Sequence, residues 1–341
     1  MKLTETRLGV KTDLAAALGL VLLLLSGCTS GDSGPSEPPP GPTPPLPAIL
    51  GQPATAEEAA MIFAYDASLA LDVRIEGQIR IRNIIEEDLS FASPMGGRVP
   101  AFLWRPAEGE GPYPAIVGMH GLPGDRHQMR ETGLAYAAAG AMVLGISGPT
   151  GRPDNNRRSV TFNIPQDSRD QVQLIVDLRR AYDLLEARED VDSERIVFLG
   201  GSYGGAIGGL VAGVDHRFKA FLLKVGDGGP VTHFVTAGGT EVLDSVQRER
   251  LERWLEAMAP IEPIRFVGLA APRPLFFLNA NHDDYVTRDN ALRYHAAASE
   301  PKLVRWYDLD HSLGAEAAVD GAAWLEPIIG IDLDLFVFPP P

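Results

Sequence analysis

One serine stands among four glycines in the stretch FLGGSYGG, residues 198–205, directly after an apolar run. A serine hydroxyl is a weak nucleophile and needs a nearby base that removes its proton. Histidine is the usual base, and a carboxylate usually orients its imidazole. Ser202 is therefore a candidate nucleophile, provided that the fold brings a histidine and an acid to it.

Two histidines near the end of the chain are candidates for the base. His311 lies in the loop DLDHSLG, directly after a predicted strand, whereas His295 lies within the predicted helix RDNALRYHAAAS. We expect His295 to be a surface or packing residue. We therefore predict that His311 is the base.

Three aspartates are candidates for the acid. Asp283 and Asp284 follow the apolar run PLFFLNA, and Asp227 follows the apolar run before that one, in KVGDGG. All three lie where a buried strand is expected to end. The pattern of residues alone leaves the choice among them open.

The elements that must position these residues alternate along the chain. A helix is expected over 55–70, and extended runs are expected near 79–91 and 98–105. Solid apolar runs then alternate with helical patterns; the strands are predicted at 113–121, 141–147, 195–200, 218–226, 274–280 and 302–309. Such an alternation predicts an α/β fold with a mostly parallel sheet that helices cover on both faces. In such sheets, binding and catalytic loops lie at the carboxyl ends of the strands.

The segment from Gly200 to Gly204, between a predicted strand and a predicted helix, resembles the nucleophile elbow of the α/β-hydrolases. In that superfamily the nucleophile, acid and base follow one another along the chain, which implies the order Ser202, Asp283, His311. The acid of the superfamily is often followed by a valine three positions later, as Asp283 is by Val286. The resemblance therefore favours Asp283.

The segment GMHGLPG, residues 118–124, resembles the loop that carries the oxyanion hole in these hydrolases. The resemblance implies that the backbone amides of Leu122 and Tyr203 stabilise the negative charge that develops on the substrate oxygen. His120, in the same loop, is expected to support the loop rather than to act as a second base.

The resemblance covers residues 80–325 and is greatest to dienelactone hydrolases, acetyl xylan esterases and the catalytic domains of prolyl oligopeptidases. It implies a serine carboxylic ester hydrolase that acts on small-molecule esters of short acyl chains through an acyl-enzyme. The alternatives are a small peptidase or amidase and a binding lipoprotein without turnover. No metal or other cofactor is implied.

Two segments are candidates for contacts with a substrate. Residues 228–268 are expected to form a small helical cap, in which packing is the favoured role of Phe234, Trp254 and Leu255 over that of an acyl pocket. The loop 148–162 contains Arg152, Arg157 and Arg158, for which a solvated loop is favoured over binding of an anionic substrate.

Charge and length limit the possible partners. The 341 residues include 30 Lys and Arg against 45 Asp and Glu, a formal net charge of -15. This balance argues against nucleic acid, which would require a basic face. The sequence leaves the oligomeric state open.

The amino terminus has the pattern of an export signal. Basic residues precede LAAALGLVLLLLSGC, whose last four residues resemble the lipobox of bacterial lipoproteins and end at the single cysteine, Cys28. We expect a signal peptide at 1–27, a proline-rich tether at 28–54 and a hydrolase domain at 55–341. The protein is then exported and held to the bacterial cell envelope by lipid on Cys28 alone.

Overall fold

A nine-stranded sheet runs through the part of the chain that the computed structural model describes, residues 43–155, 157, 159–236 and 243–340. Its strands are β1 (Arg74–Ile81), β2 (Ile84–Ala92), β3 (Arg98–Pro106), β4 (Tyr113–Met119), β5 (Met142–Ile146), β6 (Val191–Gly201), β7 (Phe221–Lys224), β8 (Leu275–Ala280) and β9 (Lys302–Tyr307).

The strands lie in the order β1-β2-β3-β5-β4-β6-β7-β8-β9. The first three and β5 pair antiparallel, and all pairs from β5 to β9 are parallel. The order reverses between β4 and β6, because β5 lies on one side of β4 and β6 on the other. Such a reversal opens a crevice at the carboxyl ends of the strands, where α/β proteins bind ligands.

Helices cover both faces of this sheet. They are α1 (Ala56–Ile62), α2 (Arg130–Ala138), α3 (Gln166–Glu186), α4 (Tyr203–Val214), α5 (Pro230–Thr236), α6 (Ser245–Met258), α7 (Arg288–Ala297) and α8 (Gly314–Ile329). A large buried cluster includes side chains of α3, α4 and α6, and a second cluster includes those of α2 and α8. Strands buried on both faces explain why the central runs are apolar without alternation.

The α/β architecture predicted from the sequence is confirmed, but the extended run expected near 79–91 is wrong in its extent. It contains two strands, β1 and β2, which turn at Arg82 and Asn83. Arg82 has a φ of 56°, in the left-handed region, so the chain reverses there without glycine or proline as a signal. The first helix is also shorter than predicted. It begins at a capping box between Thr55 and Glu58 and ends at Ile62.

The segment predicted as a cap contains α5, α6 and three short 3-10 helices between Ala259 and Leu269. Trp254 is fully buried, with ring centroids 4.9 Å from Phe162 and 5.6 Å from Phe234. Leu255 is buried as well. This arrangement confirms packing as the role of these aromatic and aliphatic side chains.

The predicted signal peptide and Cys28 lie outside the described residues. None of the helices described in the structure is both long and apolar enough to cross a membrane.

Candidate active site

Ser202 lies in the sharp turn between β6, which ends at Gly201, and α4, which begins at Tyr203. Its φ of 56° and ψ of -121° are an unfavourable conformation for a residue with a side chain, at a cost of about 1–3 kcal/mol. The strained turn holds the hydroxyl at the carboxyl end of β6, beside the point where the strand order reverses.

Two glycines of the motif are required because backbone approaches them closely. A Cβ on Gly200 would lie 2.2 Å from the carbonyl oxygen of Gly204, and a Cβ on Gly204 would lie 2.3 Å from that of Met119. Both contacts are shorter than any real Cβ atom makes. The elbow can therefore form only with glycine at these two positions.

The structure brings His311 and Asp283 together at the same edge of the sheet. The Nδ1 atom of His311 lies 2.9 Å and 2.8 Å from the two carboxylate oxygens of Asp283. Asp283 follows β8 and His311 follows β9. Because Nδ1 faces the carboxylate, Nε2 is the nitrogen that remains to take a proton from a nucleophile.

Asp283 is held rigidly by the turn that it begins. One of its oxygens, Oδ1, accepts the amide N–H groups of Tyr285, at 2.9 Å, and Val286, at 2.8 Å. The Asp283 side chain is only 3% exposed. The spacing of Asp283 and Val286 therefore has a physical reason, since the carboxylate closes the turn and orients the imidazole at the same time.

The other two candidate acids have different surroundings. Asp284 is exposed. Asp227 is buried, and its Oδ2 lies 2.6 Å from Nδ1 of His233 in α5, while its Oδ1 accepts the amide of Gly229. The structure therefore pairs Asp227 with a different histidine and leaves His311 with Asp283.

The loop after β4 lies against the nucleophile. A Cβ on Gly121 would lie 3.1 Å from Cβ of Ser202 and 3.7 Å from its Oγ. Leu122 follows directly, and Tyr203 is the first residue of α4, where the amide N–H has no partner within the helix. These are the two amides that the sequence resemblance assigns to the oxyanion hole.

His120 holds this loop in place through two hydrogen bonds of its imidazole. Its ring is 2% exposed, and its Nε2 accepts the amide N–H of Gly148 at 3.0 Å. The proton must then lie on Nδ1, which donates to the carbonyl of Gly121 at 2.6 Å. His120 thus joins the loop after β4 to the loop after β5, as expected of a structural residue.

A small pocket adjoins the loop and the elbow. Leu122 and Tyr203 form one part of its lining, and Gln171, Leu174 and Met258 form another. Its cavity volume is about 10 Å³, which is room for about one water molecule. The sequence did not predict this pocket. A possible signal for it is Gln171, a polar residue that interrupts the apolar face of α3 one turn before Leu174.

The arginines of the loop 148–162 do not extend freely into solvent, so the expectation of a solvated loop is wrong for two of them. Arg152 is buried and forms an ion pair with the buried Asp177, and Arg157 forms one with Asp170. Side chains that already hold carboxylates are poor candidates for binding an anionic substrate. Arg158 lies outside the described residues.

His295 is a packing residue in the core, one of the two roles expected of it. It is buried, its Nε2 lies 3.1 Å from Oδ1 of Asn279, and its ring packs on Phe277. Burial lowers its pKa to about 3, so the ring stays neutral. Within the described residues, no cluster of three or more His, Cys, Asp or Glu side chains has the arrangement of a metal site.

Glu262 is a buried acidic residue whose charge also acts on His233. Glu262 is fully buried and accepts the amides of Val231, at 3.0 Å, and Thr232, at 2.7 Å, in the first turn of α5. Burial raises its pKa to about 8 despite these two bonds. Burial also works against the charge on His233, but the Asp227 carboxylate outweighs it and raises the pKa of that imidazole.

Comparisons with known proteins agree with this geometry. A family described as acetyl xylan esterase matches residues 67–226, and the prolyl oligopeptidase family matches residues 157–314. The chain is 27% identical over 240 residues to an uncharacterised peptidase, YuxL, of Bacillus subtilis; the match covers 67% of this chain and 36% of YuxL. The chain thus spans about a third of the length of that relative.

Two solved structures are similar over their whole length. An acetyl xylan esterase from Paenibacillus sp. R4 has a TM-score of 0.64 at 19% identity and covers 83% of this chain and 100% of its own. The acetyl xylan esterase 1 from Thermoanaerobacterium has a TM-score of 0.63 at 17% identity, with 86% of this chain and 100% of its own covered. The sheet order, the elbow and these likenesses together show that the chain has the α/β-hydrolase fold.

Proposed function

We propose that this chain is a serine esterase that hydrolyses carboxylic esters of short acyl groups, acetyl esters above all. The observation that carries the proposal is the contact of His311 with both oxygens of Asp283, at the edge of the sheet where the elbow holds Ser202. A nucleophile, a base and an acid on successive parallel elements are the components of acyl transfer.

The reaction follows from the roles of these groups. The Ser202 hydroxyl attacks the ester carbonyl while Nε2 of His311 takes its proton, and Asp283 stabilises the imidazolium that forms. The amides of Leu122 and Tyr203 stabilise the oxyanion. The imidazolium then protonates the leaving alcohol, and a water molecule, activated by the same imidazole, hydrolyses the acyl-enzyme.

The size of the adjoining pocket favours a short acyl chain. Its lining includes Leu122 and Tyr203, the two residues whose amides are assigned to the oxyanion hole, so the pocket adjoins the place expected for the ester carbonyl. A volume near that of one water molecule leaves little room for a long acyl chain. The acetyl xylan esterases named among the similar proteins support acetyl esters, including those of carbohydrates, as the substrate class.

The test is a series of 4-nitrophenyl esters from acetyl to decanoyl, with Ser202→Ala as the control. We expect kcat/KM to be greatest at acetyl to butyryl and to decline beyond, and we expect the alanine variant to be inactive. A maximum at decanoyl would contradict the short acyl preference. Faster cleavage of aminoacyl anilides than of any ester would identify a peptidase instead, and turnover of neither class would favour a binding protein.

We also propose that the mature protein is exported and held to the bacterial envelope through lipid on Cys28. The support is the leader sequence that ends in Leu25-Ser26-Gly27-Cys28, together with the proline-rich segment after it. Metabolic labelling with an alkyne analogue of palmitate should label the full chain and not Cys28→Ser. Equal labelling of the two proteins, or no labelling of either, would contradict lipid attachment at this cysteine.

A further inference from the structure

One cation at the catalytic edge of the sheet has no role in the mechanism above. Lys224 is the last residue of β7, and its carbonyl oxygen accepts the amide N–H of Ser202 at 2.9 Å. Its side chain fills the space left by the residue before the nucleophile, since Cε lies 3.6 Å from where a Cβ on Gly201 would be. The side chain of Lys224 therefore lies directly beside the elbow.

This ammonium has no counter-ion within the described part of the chain. Most arginines there form ion pairs with carboxylates, but no salt bridge or hydrogen bond of the Lys224 side chain is found. Burial lowers its pKa, and no ionised side chain contributes to offset that shift. In a protein with a formal charge of -15, an unpaired cation beside the nucleophile is unusual.

The direction of the side chain follows from the register of the sheet. Lys224 lies opposite Gly201 of β6 and Leu278 of β8, and it shares a face with Leu222. Leu222 and Leu278 belong to the buried cluster under α8, and His311 lies in the loop that leads into α8. Met119 and Leu174 line the small pocket beside Leu122 and Tyr203. Both belong to the other buried cluster, on the face that α3, α4 and α6 cover.

The acyl pocket and the loop of His311 thus lie towards opposite faces of the sheet, so the acyl group and the alcohol of an ester would lie on opposite sides of Ser202. The acyl group enters the pocket on one side of Ser202, whereas the leaving alcohol must approach His311 in order to be protonated. Lys224 lies on the face that α8 covers, and the loop of His311 leads into that helix. We infer that Lys224 binds a carboxylate carried by the alcohol portion of the ester, and that the natural substrate is an acylated hydroxy acid. This inference rests on the proposed esterase function and deepens it.

The test compares a charged and a neutral ester of the same phenol. The substrates are 3-acetoxybenzoate and methyl 3-acetoxybenzoate, and the quantity measured is the ratio of their kcat/KM values. In Lys224→Met this ratio should fall about 10- to 100-fold, the value of a hydrogen bond to a charged group. The neutral ester corrects for any disturbance of the elbow. Lys224→Arg should keep most of the preference.

The control is Lys219→Met. Lys219 is exposed and lies just before the start of β7, whereas Lys224 lies at its end. An equal fall of the ratio in this variant would mean that only the general charge of the protein matters, and would overturn the inference. An unchanged ratio in Lys224→Met would overturn it as well. Hydrolysis of 4-nitrophenyl acetate but of neither benzoate ester would overturn the inference alone. If the wild-type enzyme hydrolyses none of the three, the esterase function itself is wrong and the role of Lys224 fails with it.

Inhibition of the wild-type enzyme provides a measurement that does not depend on the variant folding. With 4-nitrophenyl acetate as substrate, 3-hydroxybenzoate should inhibit at least about tenfold more strongly than its methyl ester at low salt, and the difference should shrink at high salt. Equal inhibition by the two compounds, or stronger inhibition by the methyl ester, would contradict a carboxylate site at Lys224.

Discussion

The imidazole of His233 lies 2.6 Å from the carboxylate of Asp227, one strand away from the pair that His311 forms with Asp283. The aspartates of these two pairs follow the adjacent strands β7 and β8. Only the second has its histidine in the loop after β9, the position expected of the general base. The pairing favours Asp283 as the carboxylate that orients the proposed base.

We predict that Asp283→Asn lowers kcat by about 10⁴-fold, as the corresponding change does in the serine protease triad. Asparagine favours the wrong tautomer of His311. Asp227→Asn and Asp284→Asn, each measured with 4-nitrophenyl acetate, should cause far smaller losses. A collapse of kcat in Asp227→Asn with little effect of Asp283→Asn would place the acid on the earlier strand.

His120→Ala should destabilise the protein without displacing the kcat/KM–pH profile. It removes the acceptor of the buried Gly148 amide and the donor to Gly121, at a cost of about 1–3 kcal/mol of unfolding free energy. The kcat/KM–pH profile should keep its position, because His120 takes no part in the proposed proton transfer. A displaced profile would mean that His120 takes part in proton transfer.

Met258→Ala should enlarge the acyl pocket. Met258 lines the pocket and is buried, so its truncation leaves space for additional methylene groups, each worth about 0.8 kcal/mol when buried. The ratio of kcat/KM for hexanoyl to that for acetyl esters should rise. Leu255→Ala, on the same helix but outside the lining, is the control and should leave the ratio unchanged. An equal rise in both variants would point to general loosening of the cap.

Stability should depend on pH through Glu262. Its pKa is about 8 in the folded protein against an ordinary value of 4.5, so folding takes up a proton between these values. The contribution of Glu262 is therefore complete below pH 4.5 and is lost as pH rises towards 8, by at most about 1.4 kcal/mol per pH unit.

Urea unfolding of wild type and Glu262→Gln at pH 5, 6, 7 and 8 measures this contribution. The variant should be less stable at low pH, because its amide nitrogen cannot accept the N–H of Val231 or Thr232. Its stability should also change less between pH 5 and 8 than that of the wild type. Parallel pH profiles of the two proteins would show that Glu262 keeps one protonation state over this range.

The parts of the fold that are local in sequence could be predicted, and those that depend on distant partners could not. The apolar run before Ser202 and the glycines around it identify a strand, a turn and a helix, because backbone crowding permits no other residues there. The hairpin turn at Arg82 escaped prediction because no glycine or proline marks it.

Long-range pairing accounts for the remaining differences. Nothing near Arg152 in the sequence shows that it pairs with Asp177, which lies 25 residues away on α3. The residues alone also left Asp227 and Asp283 open, since both follow buried parallel strands. That choice depends on which of the two histidines each carboxylate meets after folding.

Covalent labelling can identify the nucleophile of the proposed active site. We expect Ser202 to be the nucleophile, since its strained turn holds the hydroxyl at the edge of the sheet where His311 and Asp283 also lie. A fluorophosphonate probe should therefore label the wild-type protein on the peptide that contains Ser202, as read by mass spectrometry, and should leave Ser202→Ala unlabelled. Labelling of the alanine variant at the wild-type rate, or an adduct on a different residue, would contradict this expectation.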